Sequence, residues 1–197
     1  MKKAISIGIQ GFSDLREQDC FFVDKTNFIK EWWGKRDVVT LITRPRRFGK
    51  TLNMSMLDCF FSNKYANRAD LFEGLSIWQD ETYRKLQGTY PVIFLSFAAV
   101  KAGNLEDAKT QIKQEITRLY WENRNLMKED IFGEDERELY YRTTVKMDDV
   151  TAQDSLRNLS VWMERYYGKK VIILLDEYDT PMPVSYTHLT LPTILLV

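Results

Sequence analysis

The chain has 197 residues, of which 44% are hydrophobic and 28% are charged, an ordinary balance for a globular protein. A chain of this length can bury a substantial core within one domain. Its 28 lysines and arginines equal its 28 acidic residues, so no overall charge indicates nucleic acid or an anionic membrane as a partner.

The cysteines and the N-terminus indicate the cellular compartment to expect. Cys20 and Cys59 have apolar neighbours, no CxxC spacing and no nearby histidine. This pattern argues against a disulfide framework or a zinc site and favours a reducing compartment. Residues 1–16 lack the apolar run of a signal peptide, and no segment approaches the roughly 20 apolar residues that span a bilayer. We therefore predict a cytoplasmic protein without membrane contact.

The first half of the chain predicts helices and strands in alternation. A short helix is expected within residues 23–35. The β-branched run Val38–Thr43 predicts a strand buried on both faces, as in parallel sheets. A helix should begin at Lys50, and a second buried strand should cover Tyr90–Phe97.

The second half continues the alternation. Asn104 is a good N-cap for a helix whose apolar residues recur at helical spacing. Residues 131–150 predict a short helix with an exposed loop, and residues 151–170 predict an amphipathic helix that Gly168 ends. A third buried strand, Val171–Asp179, ends in acidic residues. Buried strands that alternate with helices favour a parallel α/β sheet.

The segment after the first predicted strand nearly matches the phosphate-binding loop G-x-x-x-x-G-K-[ST]. Such a loop surrounds a phosphate with backbone N–H groups at a helix N-terminus, and its lysine reaches the terminal phosphates. Its hydroxyl residue binds Mg²⁺. Arg44 replaces the first glycine and lacks that residue's freedom to adopt positive φ. The predicted nucleotide-binding positions are Arg44, Pro45, Arg46, Arg47, Phe48, Gly49, Lys50 and Thr51.

Asp176 and Glu177 end the third predicted strand, the place where open α/β sheets bind ligands. An aspartate there can hold the Mg²⁺ that bridges nucleotide phosphates, and the glutamate can polarise water as a general base. We therefore predict Thr51 and Asp176 as metal ligands and Glu177 and Lys50 as catalytic residues. Each signal has a plainer explanation, either an ordinary basic turn or two acids that end a strand. Because the loop and the acidic strand end are independent signals of one site, they favour a nucleotide-binding site.

Four segments resemble the hallmark segments of AAA-ATPase-like proteins, including their Walker A and Walker B motifs, in the same order. They are FFVDKTNFI, RPRRFGKTLNMSML, YPVIFLSF and VIILLDEYDTPM, and the resemblance covers about residues 5–182. An arginine at the first loop position is usual in that family, so Arg44 is interpreted as a tolerated variant. The resemblance implies ATP and Mg²⁺ as ligands of Lys50, Thr51, Asp176 and Glu177.

The resemblance also implies a P-loop NTPase fold, with three layers, α/β/α, around a mainly parallel sheet. A further strand with a polar sensor residue would lie between the strand of the loop and the strand of the acids. That strand would follow Asp179, where the sequence departs from the family. Residues 180–197 contain no charged residue and include VSYTHLTLPT, which is similar to a translated adaptor sequence.

We therefore expect an AAA-ATPase-like domain over residues 1–182, truncated at its C-terminus, and a foreign tail over residues 183–197. Members of the family often continue into an arginine-bearing region, a lid and a domain similar to PD-(D/E)XK nucleases. Nucleotide binding is expected of this fragment, and hydrolysis is expected of the intact parent.

Two functions of different classes follow. The first is a module that binds ATP–Mg²⁺ and, when intact, hydrolyses ATP to drive a conformational switch, with self-assembly or an adjoining nuclease-like domain as its partner. The second is a non-catalytic scaffold or nucleic-acid adaptor whose Arg44, Arg46 and Arg47 contact phosphate backbones. The neutral net charge and the lack of a DNA-reading motif count against the second. A kinase is a weaker third option, because no phosphoryl acceptor site is indicated.

Overall fold

The computed structural model describes residues 4–5, 8–42, 48–128 and 131–178. These residues divide into two compact units, one up to Val92 and the other from Ile93 onward. Within the described ranges, no helix is both long and apolar enough to cross a bilayer. The helices are α1 (Phe12–Glu17), α2 (Asn27–Lys35), α3 (Lys50–Phe61), α4 (Glu81–Arg84), α5 (Leu105–Glu122), α6 (Glu134–Arg142) and α7 (Asp149–Tyr167), and the strands are β1 (Val92–Ser96) and β2 (Ile172–Asp176).

The first unit has an aromatic core that holds α3 against α1. The rings of Phe12 and Phe72 stack with centroids 5.2 Å apart, and Phe60 meets Phe72 edge-on at 5.1 Å. The backbone N–H of Phe12 donates to Ser55 Oγ at 2.9 Å, which ties the start of α1 to the middle of α3. The buried residues of α3 all lie in its second half, from Met56 onward. The helix predicted to follow the phosphate loop is therefore confirmed, and its far end is anchored in the core.

Asp24 fastens the segment before α2 to a 3₁₀ turn that begins at Ser76. Its carboxylate accepts hydrogen bonds from the N–H and hydroxyl groups of Thr26 (2.9 and 2.7 Å) and of Ser76 (2.7 and 2.6 Å). Partial desolvation raises the pKa of Asp24, but these hydrogen bonds outweigh it and bring the pKa to about 2. The short helix predicted within residues 23–35 is confirmed as α2, which continues to Lys35.

The predicted strand over residues 38–43 is wrong for the part that the structure describes. Residues 38–42 adopt no regular secondary structure. A β-branched run forms a strand only where neighbouring strands complete its hydrogen bonds and cover its faces. The strand that the resemblance places beside it would follow Asp179, outside the described residues. Three of its apolar side chains are exposed to solvent, by 60% at Val38, 47% at Val39 and 56% at Leu41.

The second unit contains a parallel sheet of two paired strands, β1 and β2, within the described residues. Ile93 and Leu95 of β1 and Ile173 of β2 are almost fully buried. They belong to one apolar cluster with Ile116 of α5 and Leu159 of α7. The predicted α/β class is confirmed in this coarse form, whereas the three-layer P-loop architecture stays a prediction.

The predicted start of α5 and the predicted end of α7 are confirmed, whereas α7 begins at Asp149, two residues before its predicted range. The side chain of Asn104 caps α5 by accepting a hydrogen bond from the N–H of Asp107 at 2.9 Å. Gly168 ends α7 in the left-handed conformation, with φ at 65°. The apolar face predicted for α5 is the buried one: Ala108, Ile112, Ile116, Leu119 and Tyr120.

Glu136 joins the start of α6 to α7. Its carboxylate accepts hydrogen bonds from the N–H of Gly133 (3.0 Å), the indole N–H of Trp162 (3.2 Å) and the guanidinium of Arg165 (2.8 and 3.1 Å). The hydrogen bond from Arg165, followed by that from Gly133, lowers the pKa of Glu136 to about 2. Arg165 also donates to the carbonyl of Ile131 at 2.6 Å, so one cluster fixes the loop before α6 against α7.

A close approach of two backbone segments in the first unit generates the first prediction. Gly88 donates to the carbonyl of Phe60 at 2.8 Å with φ at +68°, and a Cβ there would overlap the backbone of Ala66. Gly88→Ala should lower the free energy of unfolding by roughly 3 kcal/mol, since the left-handed conformation costs about 1–2 and the overlap about as much again. Urea denaturation followed by circular dichroism measures the loss.

Gly74→Ala is the matched control. Gly74 also has positive φ, at +80°, but an added Cβ meets nothing within 4 Å. It should therefore lose only the conformational share, about 1–2 kcal/mol. Equal losses for the two variants would contradict the close approach at Gly88.

The cluster at Glu136 generates a prediction of pH dependence. Because the pKa of Glu136 is lowered to about 2 in the folded protein, its stabilising effect is complete above the unfolded pKa, near 4.5. That effect is lost as the pH falls from 4.5 towards 2. Glu136→Gln should therefore lower the urea midpoint at pH 7, and the difference from the parent should shrink towards zero near pH 2. Glu138→Gln, whose side chain is 73% exposed, is the control that should change little at any pH.

Candidate functional site

The first half of the candidate site is the start of α3. Gly49 precedes the helix in the left-handed conformation, with φ at 75°, and α3 begins at Lys50. The N–H of Asn53 donates to the carbonyl of Gly49 at 2.9 Å, which is the first bond of the helix. No side chain in the described chain caps this N-terminus, and its first turn has no acidic residue. The first N–H groups and the positive end of the helix dipole are thus suited to an anion.

The backbone conformation at position 49 explains why a glycine stands there. A Cβ on Gly49 would meet nothing within 4 Å, so the constraint is the positive φ and not the available space. Lys50 and Thr51 follow as the first two helical residues, both half-buried, and Phe48 before them is 57% exposed. The remaining predicted loop residues, Arg44, Pro45, Arg46 and Arg47, lie outside the described residues, and their role stays a prediction.

The second half of the candidate site is the end of β2. Asp176, its last residue, is 4% exposed. The hydroxyl of Ser96, the last residue of β1, donates to Asp176 Oδ2 at 3.4 Å, and the N–H of Phe97 donates to the Asp176 carbonyl at 3.0 Å. Burial of a carboxylate is unfavourable unless hydrogen bonds or a cation compensate its charge. The end of this strand is therefore suited to hold a positive ion.

Glu177 adopts a strained backbone conformation directly after this carboxylate. Its φ is 52°, in the left-handed region that residues other than glycine adopt infrequently. The conformation costs about 1–2 kcal/mol, so the surrounding structure must hold it. No residue type in the sequence indicates this strain, because glutamate is not a residue that favours such turns.

The oxygen donors fit the metal that the sequence predicts. Thr51 offers a hydroxyl and Asp176 a carboxylate, the hard ligands that Mg²⁺ prefers. Mg²⁺ at nucleotides is held by one or two carboxylates together with phosphates and water. Within the described ranges, no three or more His, Cys, Asp or Glu side chains gather into a metal cluster.

The structure brings some of the predicted site residues together within each unit. Gly49, Lys50 and Thr51 form one turn in the first unit, and Ser96 lies beside Asp176 in the second. The two groups belong to different units, so their convergence on one nucleotide stays a prediction. Ser96 was missed from the sequence, although a hydroxyl residue near the end of the apolar run YPVIFLSF was a usable signal.

A helix that begins directly after the glycine of Gly-Lys-Thr, and a buried strand that ends at Asp176 with Glu177 directly after it, are typical of nucleotide-binding proteins. The model of the AAA-ATPase-like family, described as predicted AAA-ATPase, matches residues 6–192, and the chain belongs to this family. The resemblance noted in the sequence is thereby confirmed.

A relative and the solved structures complete the comparison. The chain is 26% identical over 188 residues to a protein of Azotobacter chroococcum mcd 1 described as "Uncharacterized protein in vnfD 5'region". The similarity covers 95% of this chain and 31% of the relative, so the chain spans about a third of that protein's length. No solved structure matches the chain significantly.

Proposed function

We propose that the chain binds ATP together with Mg²⁺ and that the intact parent hydrolyses ATP to drive a conformational switch. The observation that carries this proposal is the start of α3 at Lys50, directly behind a left-handed Gly49, in a chain of the AAA-ATPase-like family. A helix N-terminus preceded by such a turn offers backbone N–H groups to phosphate oxygens.

In this proposal the loop and the first turn of α3 hold the phosphates. The Lys50 ammonium contacts the terminal phosphates, and the first N–H groups of the helix bind the phosphate behind them. Thr51 and Asp176 supply oxygen ligands to Mg²⁺. The preceding loop residues complete the enclosure: Arg44, Pro45, Arg46, Arg47 and Phe48.

Glu177 is the proposed general base for hydrolysis. A carboxylate next to the metal ligand can accept a proton from the water that attacks the γ-phosphate. Its strained φ of 52° supports a functional role, because such conformations persist where the surrounding structure enforces them and cluster at active sites.

The proposed conformational switch needs a domain or partner on which to act. The relative from Azotobacter chroococcum mcd 1 is about three times as long as this chain. We propose that nucleotide-dependent change in this segment acts on an adjoining domain, of which a nuclease-like domain is the one that the family resemblance implies, or on another copy of the chain.

Substitution of Lys50 tests nucleotide binding. Lys50→Ala should weaken ATP–Mg²⁺ binding about tenfold to hundredfold, because a charge-assisted contact to phosphate contributes roughly 1.5–3 kcal/mol. Titration with a fluorescent ATP analogue measures the affinity. Lys85→Ala, at an exposed lysine of the same unit that pairs with Glu81, should bind like the parent.

Equal affinities of the parent and Lys50→Ala would exclude the proposed site. Salt-dependent DNA binding that survives Lys50→Ala and ignores added ATP would instead favour the nucleic-acid adaptor.

Substitution of Glu177 tests the base in the full-length parent. Glu177→Gln should reduce ATP turnover about 10²- to 10⁴-fold and leave ATP affinity within a few-fold, because the amide keeps the shape and cannot take the proton. A phosphate-release assay measures turnover. Glu164→Gln, at an exposed position of α7, is the control. Unchanged turnover in Glu177→Gln would show that another group activates the water.

A further inference from the structure

Ser96 occupies the end of β1, next to the buried end of β2. Its hydroxyl donates to Asp176 Oδ2 at 3.4 Å, and the same Oγ accepts a hydrogen bond from the N–H of Ala98 at 3.3 Å. The N–H of Phe97 donates to the carbonyl of Asp176 at 3.0 Å, so the backbones of the two strands are paired at this point. The register of the sheet therefore sets the serine beside the aspartate.

The two hydrogen bonds of Ser96 give its hydroxyl a direction. A serine hydroxyl has a single proton and two acceptor lone pairs. The N–H of Ala98 takes one of these lone pairs, and the proton is donated to the Asp176 carboxylate. The backbone after β1 thus holds the Ser96 hydroxyl beside the carboxylate.

The bond acts on one oxygen of a carboxylate that has little contact with water. Asp176 is 4% exposed, so solvent contributes little to fixing its orientation. Ser96 donates to Oδ2 of this carboxylate. At 3.4 Å the bond is longer than the common range of roughly 2.5–3.0 Å.

We propose that Ser96 is a positioning residue that orients the Asp176 carboxylate for the Mg²⁺ of a bound nucleotide. This inference rests on the proposed function and adds a residue that supports the metal ligand. Hydrogen-bond donors behind metal-binding carboxylates typically change metal affinity tenfold to a hundredfold when they are removed. The effect of Ser96 should therefore be on the metal requirement and not on the phosphate contacts of Lys50.

The experiment measures how much Mg²⁺ the chain needs to bind a fluorescent ATP analogue. Ser96→Ala should raise the Mg²⁺ concentration for half-maximal binding about tenfold. Its affinity for the analogue in EDTA should stay within about twofold of the parent, since the metal is then absent from both. Ser96→Thr keeps the hydroxyl and should return the Mg²⁺ requirement to within about threefold of the parent.

The matched control is Ser160→Ala. Ser160 lies in α7 of the same unit, and its hydroxyl donates to the carbonyls of Leu156 and Arg157, away from the proposed site. It should leave the Mg²⁺ requirement unchanged. Circular dichroism checks the fold of each variant, and Ser96→Cys, which keeps only a weak donor, provides the measurement if Ser96→Ala loses structure.

Three results would overturn the role of Ser96. They are a parental Mg²⁺ requirement in Ser96→Ala, an equal loss of affinity with Mg²⁺ and in EDTA, and a rise in Ser96→Thr as large as in Ser96→Ala. The failure of the proposed function looks different, because the parent and Lys50→Ala would then bind ATP equally. A required Lys50 with a dispensable Ser96 would overturn this inference alone.

Discussion

In the second unit, the arrangement around the end of β2 depends on one buried carboxylate, that of Asp176. Asp176 is almost completely removed from water, and its charge is tolerable only where hydrogen bonds or a cation compensate it. The pairing of β1 with β2 provides the Ser96 hydroxyl, and the apolar cluster that includes Ile173 of β2 and Leu159 of α7 holds the pair in place. Packing away from the strand end therefore helps to hold the Asp176 carboxylate beside the Ser96 hydroxyl.

In the first unit, the second half of α3 is anchored in the core and its first half is partly accessible to solvent. The second half of α3 is buried among aromatic rings, and the N–H of Phe12 bonds to Ser55 at its middle. Its first half, from Lys50, is only partly covered. A ligand at the N-terminus would thus meet donors whose positions are set by the core, and preorganised donors of this kind lower the entropic cost of binding.

Much of the helical structure could be predicted from the sequence, because its signals are local. Asn104 caps α5 and Gly168 ends α7 as their residue types predict. The strand predicted over residues 38–43 does not form in the described part, 38–42, because strand formation depends on neighbours that a single segment does not reveal. The Gly-Lys-Thr turn and the acidic residues at the end of β2 were likewise predictable, because each matches a short sequence motif. The hydrogen bond from Ser96 was not, since only the register of β1 against β2 brings it to Asp176.

The left-handed backbone at Glu177 sets the conformational preference of this turn against the chemistry proposed for it. Glycine, asparagine or aspartate would adopt a φ of 52° more readily than glutamate does. None of them would carry a carboxylate on a side chain of the same reach. A stability-driven redesign of this turn would select against the one residue with that reach, so in the proposed mechanism a more stable turn would lose the general base.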